Sequence, residues 1–336
     1  MGRKHYTFSR GLGRTYMSDH TWTVLLPSTI HPDGPTAIED FAMFRSRDEY
    51  GTLAELVEEA WIFDAIVVRV APIPAELIRA ASQLKVIAKH GVGVDNIDIE
   101  TASHRGVVVC NTPAANAPAV AEHTITLLLA ASKRLLAADA RVREGDWDHR
   151  ECMNRELGGT TLGLFGFGRI ARLVAERAGG IGMRCVAYDP YVNPQDAPDD
   201  VELVSSKAEL MERADHLSVH TPLTDETRHA ISSSELGSLP EDAIVLNLAR
   251  GEIIDEQALI EALEEETIGG VGLDVFAEEP PSRDNRLLES DRSILTPHIA
   301  AVTEEAMRRM SVGAAENVRT VYNGGLPSST VNRKAL

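Results

Sequence analysis

Cysteine is nearly absent: three residues in 336, Cys110, Cys152 and Cys185. An odd count without metal-ligand spacing excludes a disulfide framework or a zinc cluster, so no metal is expected. Cys110 and Cys185 sit in strand-like apolar runs and read as core thiols kept reduced in a cytoplasm. Long hydrophobic runs are missing too. None approaches the roughly 20 residues of a membrane span. The basic start from Met1 to Arg14 lacks the apolar segment of a signal peptide, and residues 1–20 read as a flexible N-terminal extension. A cytoplasmic protein with no membrane partner is expected. Positive charge is also in deficit, 33 Lys and Arg against 51 Asp and Glu, a formal net charge of −18. That surface repels phosphate backbones and removes nucleic acid from the expected partners. Repeats, low-complexity tracts and Pro-rich linkers are absent as well.

What is present is a long α/β alternation. A chain of 336 residues exceeds the size of one growing core, which predicts two domains. Short β-branched runs at 23–26, 65–70, 85–89 and 107–110 alternate with amphipathic stretches such as 53–60 and 75–81. This pattern predicts parallel strands with crossover helices. It breaks between Asn111 and Pro118, where two prolines favour extended backbone, and the domain crossing is placed there. A second series, at 161–165, 184–188, 216–220, 243–248, 270–275 and 293–296, offers six strands for a doubly wound nucleotide-binding sheet. Between the two series, one long helix is expected from Ala119 to about Glu144. Its apolar face includes Leu128, Leu129, Leu135 and Leu136, and suits a homodimer interface or, equally, packing within the chain. A final helix from Thr303 to about Tyr322 stops before Gly324 and Gly325. The expected architecture is two doubly wound parallel-sheet domains: a Rossmann NAD-binding domain, 116–300, inserted into a discontinuous flavodoxin-like substrate domain, 21–115 with 301–336.

Gly166, Gly168 and Ala171 form a G-x-G-x-x-A pattern directly after a strand and at the start of a helix. Gly166 permits the tight turn, Gly168 lets backbone approach a pyrophosphate, and Ala171 keeps helix and strand close. The anion then rests on the helix N-terminus, at Arg169 and Ile170. Asp189 ends the next strand, where its carboxylate can accept from the ribose hydroxyls and repel a 2′-phosphate. Pro190, Tyr191, Val192 and Asn193 supply no cation for such a phosphate, so NAD is the expected cofactor.

Three further strand ends carry polar residues: Asn247 to Gly251, Gly272 to Pro280, and Thr296 to Ala300. Taken singly, Arg250 suits a surface ion pair, Glu279 a solvated loop acid and His298 a packing histidine. Together, and with Lys89 to Asp98, Val120 to Thr124 and His220 to Thr224 in the same order, these segments resemble the D-2-hydroxyacid dehydrogenase family, especially its phosphoglycerate dehydrogenase branch. The resemblance covers about residues 22 to 326. It implies His298 as acid/base, Glu279 as its partner and Arg250 as binder of the substrate carboxylate and carbonyl. It also implies Thr221, Pro222 and Ala249 at the cofactor, and Asp274 as acceptor for the nicotinamide carboxamide.

The chemistry agrees with those roles. Reducing a 2-oxo acid leaves an alkoxide at C2, which needs a proton from a group titrating near neutrality. A carboxylate on the other imidazole nitrogen fixes the tautomer, and a guanidinium grips a carboxylate without deprotonating. In the first domain, the amides of Gly91, Val92 and Gly93 can form an anion nest, or simply a strand-to-helix turn. Arg69 and Lys89 end two strands and add positive charge, or pair with surface acids.

The run from Val68 to Pro72 departs from the Arg-Ser-x-Thr type associated with phosphoglycerate dehydrogenases, which counts against that substrate. The sequence also ends soon after the final helix, so no appended regulatory domain is expected. The leading function is hydride transfer between NAD and C2 of a small 2-hydroxy or 2-oxo acid, with 3-phosphoglycerate the first substrate to try. A glyoxylate or hydroxypyruvate reductase is the alternative within the family. A corepressor-like NAD(H) sensor is the alternative from another class, and the lack of an evident peptide-docking extension argues against it.

Overall fold

The computed structural model describes residues 21–148 and 154–336. The expected extension over 1–20, and Cys152, lie outside the described residues. The chain divides into two compact units. One holds the described residues up to Thr112 together with Arg308–Leu336, and the other holds Pro113–Met307.

The first unit has five parallel strands, β1 (Trp22–Leu26), β2 (Ala42–Ser46), β3 (Ala65–Val68), β4 (Val86–Lys89) and β5 (Val108–Cys110), in the order β2-β1-β3-β4-β5. That is the flavodoxin-like order. Period-two alternation sends Leu25, Ile66, Ile87 and Val109 to one buried layer. Val24, Val67, Ala88 and Cys110 go to the other. The interior strands therefore read as continuous apolar runs. β2 escaped the sequence reading because it lacks a clear apolar period. It pairs with β1, and its side chains are mixed, with Met43 52% exposed.

The helix Glu304–Tyr322 lays Ala314, Ala315 and Val318 into the second layer, and Arg319 pairs with Asp40 at 2.7 Å. The opposite edge is closed by the C-terminal segment. Asn332 accepts from the Val109 amide at 2.9 Å and donates to Val107 O at 2.9 Å, which occupies backbone groups that an open edge would expose.

The second unit has seven parallel strands: β6 (Thr161–Phe165), β7 (Arg184–Tyr188), β8 (Val201–Leu203), β9 (His216–Val219), β10 (Ile244–Asn247), β11 (Gly270–Leu273) and β12 (Ser293–Leu295). Their order is β12-β11-β10-β9-β6-β7-β8, the dinucleotide-binding order extended by one strand at the β12 edge. β8, three residues at the other edge, is too short to show a period. The long helix expected from Ala119 to Glu144 is instead two, Ala117–Ser132 and Leu135–Arg143. The break falls at Arg134, with φ +45°. Ser132 bonds back to Leu129 O at 3.0 Å, and Arg134 pairs with Asp291 at 2.7 Å. Among the described residues, no helix is long and apolar enough to cross a membrane.

Gly272 sets how closely Ala117–Ser132 lies on the sheet. A Cβ there would stand 2.9 Å from Leu127 Cβ and 2.6 Å from Leu246 Cδ2. Overfilling a packed core costs about 1–3 kcal/mol, so Gly272→Ala is expected to lower stability by that order in denaturant unfolding. An unchanged unfolding midpoint would show that the helix seating is slack.

Candidate active site

The loop after β6 is shaped by crowding. Gly166 has φ +95°, and a Cβ there would lie 2.8 Å from the carbonyl carbon of His220. Only glycine fits both the torsion and the space. Its amide donates to Tyr188 O at 2.9 Å. Gly168 is open: no heavy atom stands within 4 Å of a built Cβ. It begins the helix Arg169–Gly180 without a side-chain cap, so the first amides are left to a ligand or water. Arg169 is exposed, Ile170 half-buried and Ala171 fully buried.

Asp189 is tied to this loop in a way the sequence did not indicate. Its Oδ2 accepts the Phe167 amide at 2.9 Å and its Oδ1 the Tyr191 amide at 2.9 Å. Each oxygen keeps acceptor capacity for a ribose hydroxyl. Across the loop, the end of β9 supplies Thr221 and Pro222. His220, just before them, shares a 2.8 Å hydrogen bond with Ser218 Oγ. Burial pulls its pKa down to about 4, so at neutral pH it brings no charge beside the loop. The open space at Gly168, the uncapped helix and the anchored acid fit a dinucleotide.

A second group forms at the ends of β10, β11 and β12. Asn247 is 1% exposed. Its side-chain amide accepts from the Ala249 N–H at 3.0 Å and donates to Arg250 O at 2.8 Å, folding the loop that presents Arg250. Arg250 also donates from Nη1 to Ala249 O at 2.7 Å.

The structure brings His298 and Glu279 together, with Nδ1 2.8 Å from Oε2. The Phe276 amide donates to the other carboxylate oxygen at 3.2 Å. Burial alone would raise the Glu279 pKa. The His298 bond and charge, the Phe276 amide and the Arg250 charge outweigh it and hold that carboxyl below the usual glutamate range. With Nδ1 turned to Glu279, Nε2 is the nitrogen left for proton exchange. The imidazole is 52% exposed. An apolar hollow of about 390 Å³, lined by Phe276, Pro280, Leu288, Leu295 and Pro297, borders the pair.

His298 itself has φ +53°, a left-handed conformation that costs a residue with a Cβ about 1–2 kcal/mol. Asp274 is 1% exposed, and its carboxylate accepts from Thr296, Ile299 and Ala300 around this turn, with two of these bonds on Oδ1 and one on Oδ2, which keeps acceptor capacity.

In the first unit, Gly91 donates its amide to Thr112 Oγ1 at 3.0 Å, which shifts the expected nest onto Val92 and Gly93. Lys89 is buried, with Nζ 2.6 Å from Arg69 O and 2.5 Å from Asn96 Oδ1. The residues that sequence reasoning missed are the ones that hold others in place: Asn247, Thr296 and His123. Asn247 and Thr296 lay within the strand-end runs and His123 within the run from Val120 to Thr124, but nothing in those runs showed which side chains they would hold.

Residues 125–300 match the NAD binding domain of the D-isomer specific 2-hydroxyacid dehydrogenases. The chain is 41% identical over 312 residues to a D-3-phosphoglycerate dehydrogenase of Methanocaldococcus jannaschii, covering 92% of this chain and 59% of that protein. It is 38% identical over 298 residues to a hydroxypyruvate reductase of Thermotoga maritima, covering 86% and 96%. Among solved structures, a glyoxylate reductase from Paecilomyes thermophila superposes with a TM-score of 0.84 at 30% identity, over 94% of this chain and 99% of that one. The chain belongs to the D-isomer-specific 2-hydroxyacid dehydrogenase family. It spans little more than half the length of the phosphoglycerate dehydrogenases it matches.

The lowered Glu279 pKa fixes the sign of one pH effect. A carboxyl depressed in the folded state adds stability above its unfolded pKa of about 4.3 and loses it as the pH falls through the folded value. The melting-temperature gap between wild type and Glu279→Gln is therefore expected to be open at neutral pH and to close below about pH 4. A gap independent of pH would contradict the pairing.

Proposed function

We propose that the chain is an NAD-dependent dehydrogenase that oxidises a small D-2-hydroxy acid at C2 or reduces the matching 2-oxo acid. The 2.8 Å His298–Glu279 pair, with Arg250 close enough for its charge to act on Glu279, carries the reading. NAD, when bound, supplies the acceptor or donor of the hydride. Arg250 binds the substrate's carboxylate and polarises its carbonyl. His298 Nε2 takes the hydroxyl proton in oxidation and returns it in reduction, while Glu279 holds the tautomer and stabilises the imidazolium. Gly166, Gly168, Arg169, Ile170, Asp189, Thr221, Pro222, Ala249 and Asp274 hold the cofactor in the unit Pro113–Met307. Arg69, Gly91, Val92 and Gly93 are the candidates for substrate binding within the first unit.

3-Phosphoglycerate is the first substrate to try. A specific observation favours a second reading, a short unphosphorylated 2-oxo acid such as glyoxylate or hydroxypyruvate. Lys89, a cation that a phosphate would need, is buried and engaged by Arg69 O and Asn96.

Leu135, Leu136, Val142 and Trp147 are each more than half exposed along one helix and the residues just after it, which supports a homodimer through that face. Cys110 and Cys185 are buried and unpaired, in keeping with a cytoplasmic setting.

His298→Ala is expected to lower turnover by about 100-fold or more while leaving NADH affinity near wild type. Near wild-type turnover would remove His298 as the acid/base. Asp189→Ala should raise relative affinity for NADPH in fluorescence titration, and an unchanged NADH-to-NADPH ratio would remove the ribose assignment. NADH oxidation against phosphohydroxypyruvate, hydroxypyruvate, glyoxylate and pyruvate decides the substrate. Tight NADH binding with no turnover on any of them would favour the sensor.

A further inference from the structure

The turn that carries His298 is held from behind by a buried carboxylate. Asp274 Oδ1 accepts the Thr296 hydroxyl at 2.6 Å and the Ile299 amide at 2.8 Å, and Oδ2 accepts the Ala300 amide at 2.8 Å. These bonds bracket His298 on both sides and keep its backbone in the left-handed region, which the chain would otherwise leave. Thr296 is the weak point. Its hydroxyl has a second acceptor within reach, Leu273 O at 3.4 Å, so something must bias it toward Asp274.

The helix Ala117–Ser132 supplies that bias. It brings His123 Nε2 to 3.1 Å from Thr296 Oγ1 and 3.8 Å from Asp274 Oδ1. A hydroxyl has one proton to give and lone pairs to receive. Thr296 gives its proton to Asp274, so toward His123 it acts as acceptor, and His123 Nε2 must carry a hydrogen. The direction of the chain is then set: His123 donates to Thr296, Thr296 donates to Asp274, and Asp274 holds the two amides that follow His298.

We propose that His123 is a positioning residue for His298, acting through Thr296 and Asp274. The proposal rests on the acid/base role given to His298 above. Without the His123 donor, the hydroxyl is free to turn to Leu273 O, Asp274 loses one of its three bonds to the turn, and His298 moves relative to Glu279.

Three variants separate this from ordinary packing. His123→Phe keeps an aromatic ring but removes the donor, Thr296→Val removes the hydroxyl at nearly constant shape, and His123→Gln restores an N–H at comparable reach. A misplacement of about 1 Å can cost on the order of 100-fold, so His123→Phe and Thr296→Val are expected to lower kcat about tenfold or more. NADH affinity should stay within about twofold, and His123→Gln should recover most of kcat.

The independent readout is the imidazole nitrogen spectrum of His298 in 15N-histidine protein. It should show the tautomer fixed by Glu279 in wild type and His123→Gln, and a mixture in the other two. Wild-type kcat with unchanged His298 nitrogens in His123→Phe overturns the proposal, as does a loss of kcat matched by equal losses in NADH affinity and melting temperature. If His123→Phe does not fold, Thr296→Val and His123→Gln decide by the same criteria. If the wild type turns over none of the oxo acids, the dehydrogenase reading fails, and the His298 nitrogens alone still uphold or overturn the positioning role.

Discussion

A parallel sheet covered on both faces leaves little room for polar chemistry except where its strands end. In the seven-stranded unit both layers are apolar, with Leu164, Cys185 and Leu246 on one side and Leu217, Val245 and Val271 on the other. A charged side chain pointing from the middle of β6 or β10 would lose its hydration without a partner, at a cost of several kcal/mol. The carboxyl ends escape that penalty, and the chain places its polar residues there. β6, β7 and β9 end in the glycine loop, Asp189 and His220. β10, β11 and β12 end in Asn247 with Arg250, Asp274 with Glu279, and Thr296 with His298. The order of the sheet, diverging between β6 and β9, turns one strand-end rule into two neighbouring groups of side chains.

The acids at those ends are used in opposite ways. Asp274 is buried and makes three short bonds to a single turn. Its charge is spent on geometry, much as the Asn247 amide is spent on the loop of Arg250. Glu279 is 39% exposed and keeps one strong charged partner. Water around it weakens the pair as a source of stability. The same exposure leaves the imidazole beside it open to solvent. The buried acid fixes a turn, and the exposed one holds a charged partner.

Much of this was legible in the residues. The interior strands announced themselves as short apolar runs, and the glycine pattern after β6 pointed to the loop because its spacing is forced by crowding against the next strand end. Strand-end position marked the runs that hold Arg250, Glu279 and His298, but their roles came from the resemblance of those runs, taken in order, to the family. The edge strands β2 and β8 did not show. Their side chains are mixed in exposure, unlike the buried edge strand β5, so their composition carries little period. The kink at Arg134 was equally silent, since the run from Ala130 to Leu136 carries no helix breaker. The second partners were hidden for another reason. That the Asp189 carboxylate bonds the Phe167 amide, or that His123 meets Thr296 across 173 positions, is a property of packing that no local pattern encodes.

Net charge and local charge pull in different directions here. A chain of −18 would be expected to repel a dinucleotide and a carboxylic acid alike. At physiological ionic strength, however, exposed charges beyond about 8 Å are largely screened. What an anion meets at contact is set by the nearest groups: the uncapped amides that open Arg169–Gly180 and the guanidinium of Arg250. His220, whose pKa burial lowers to about 4, stays neutral and adds nothing. The same screening means that nothing more distant can substitute for these few donors.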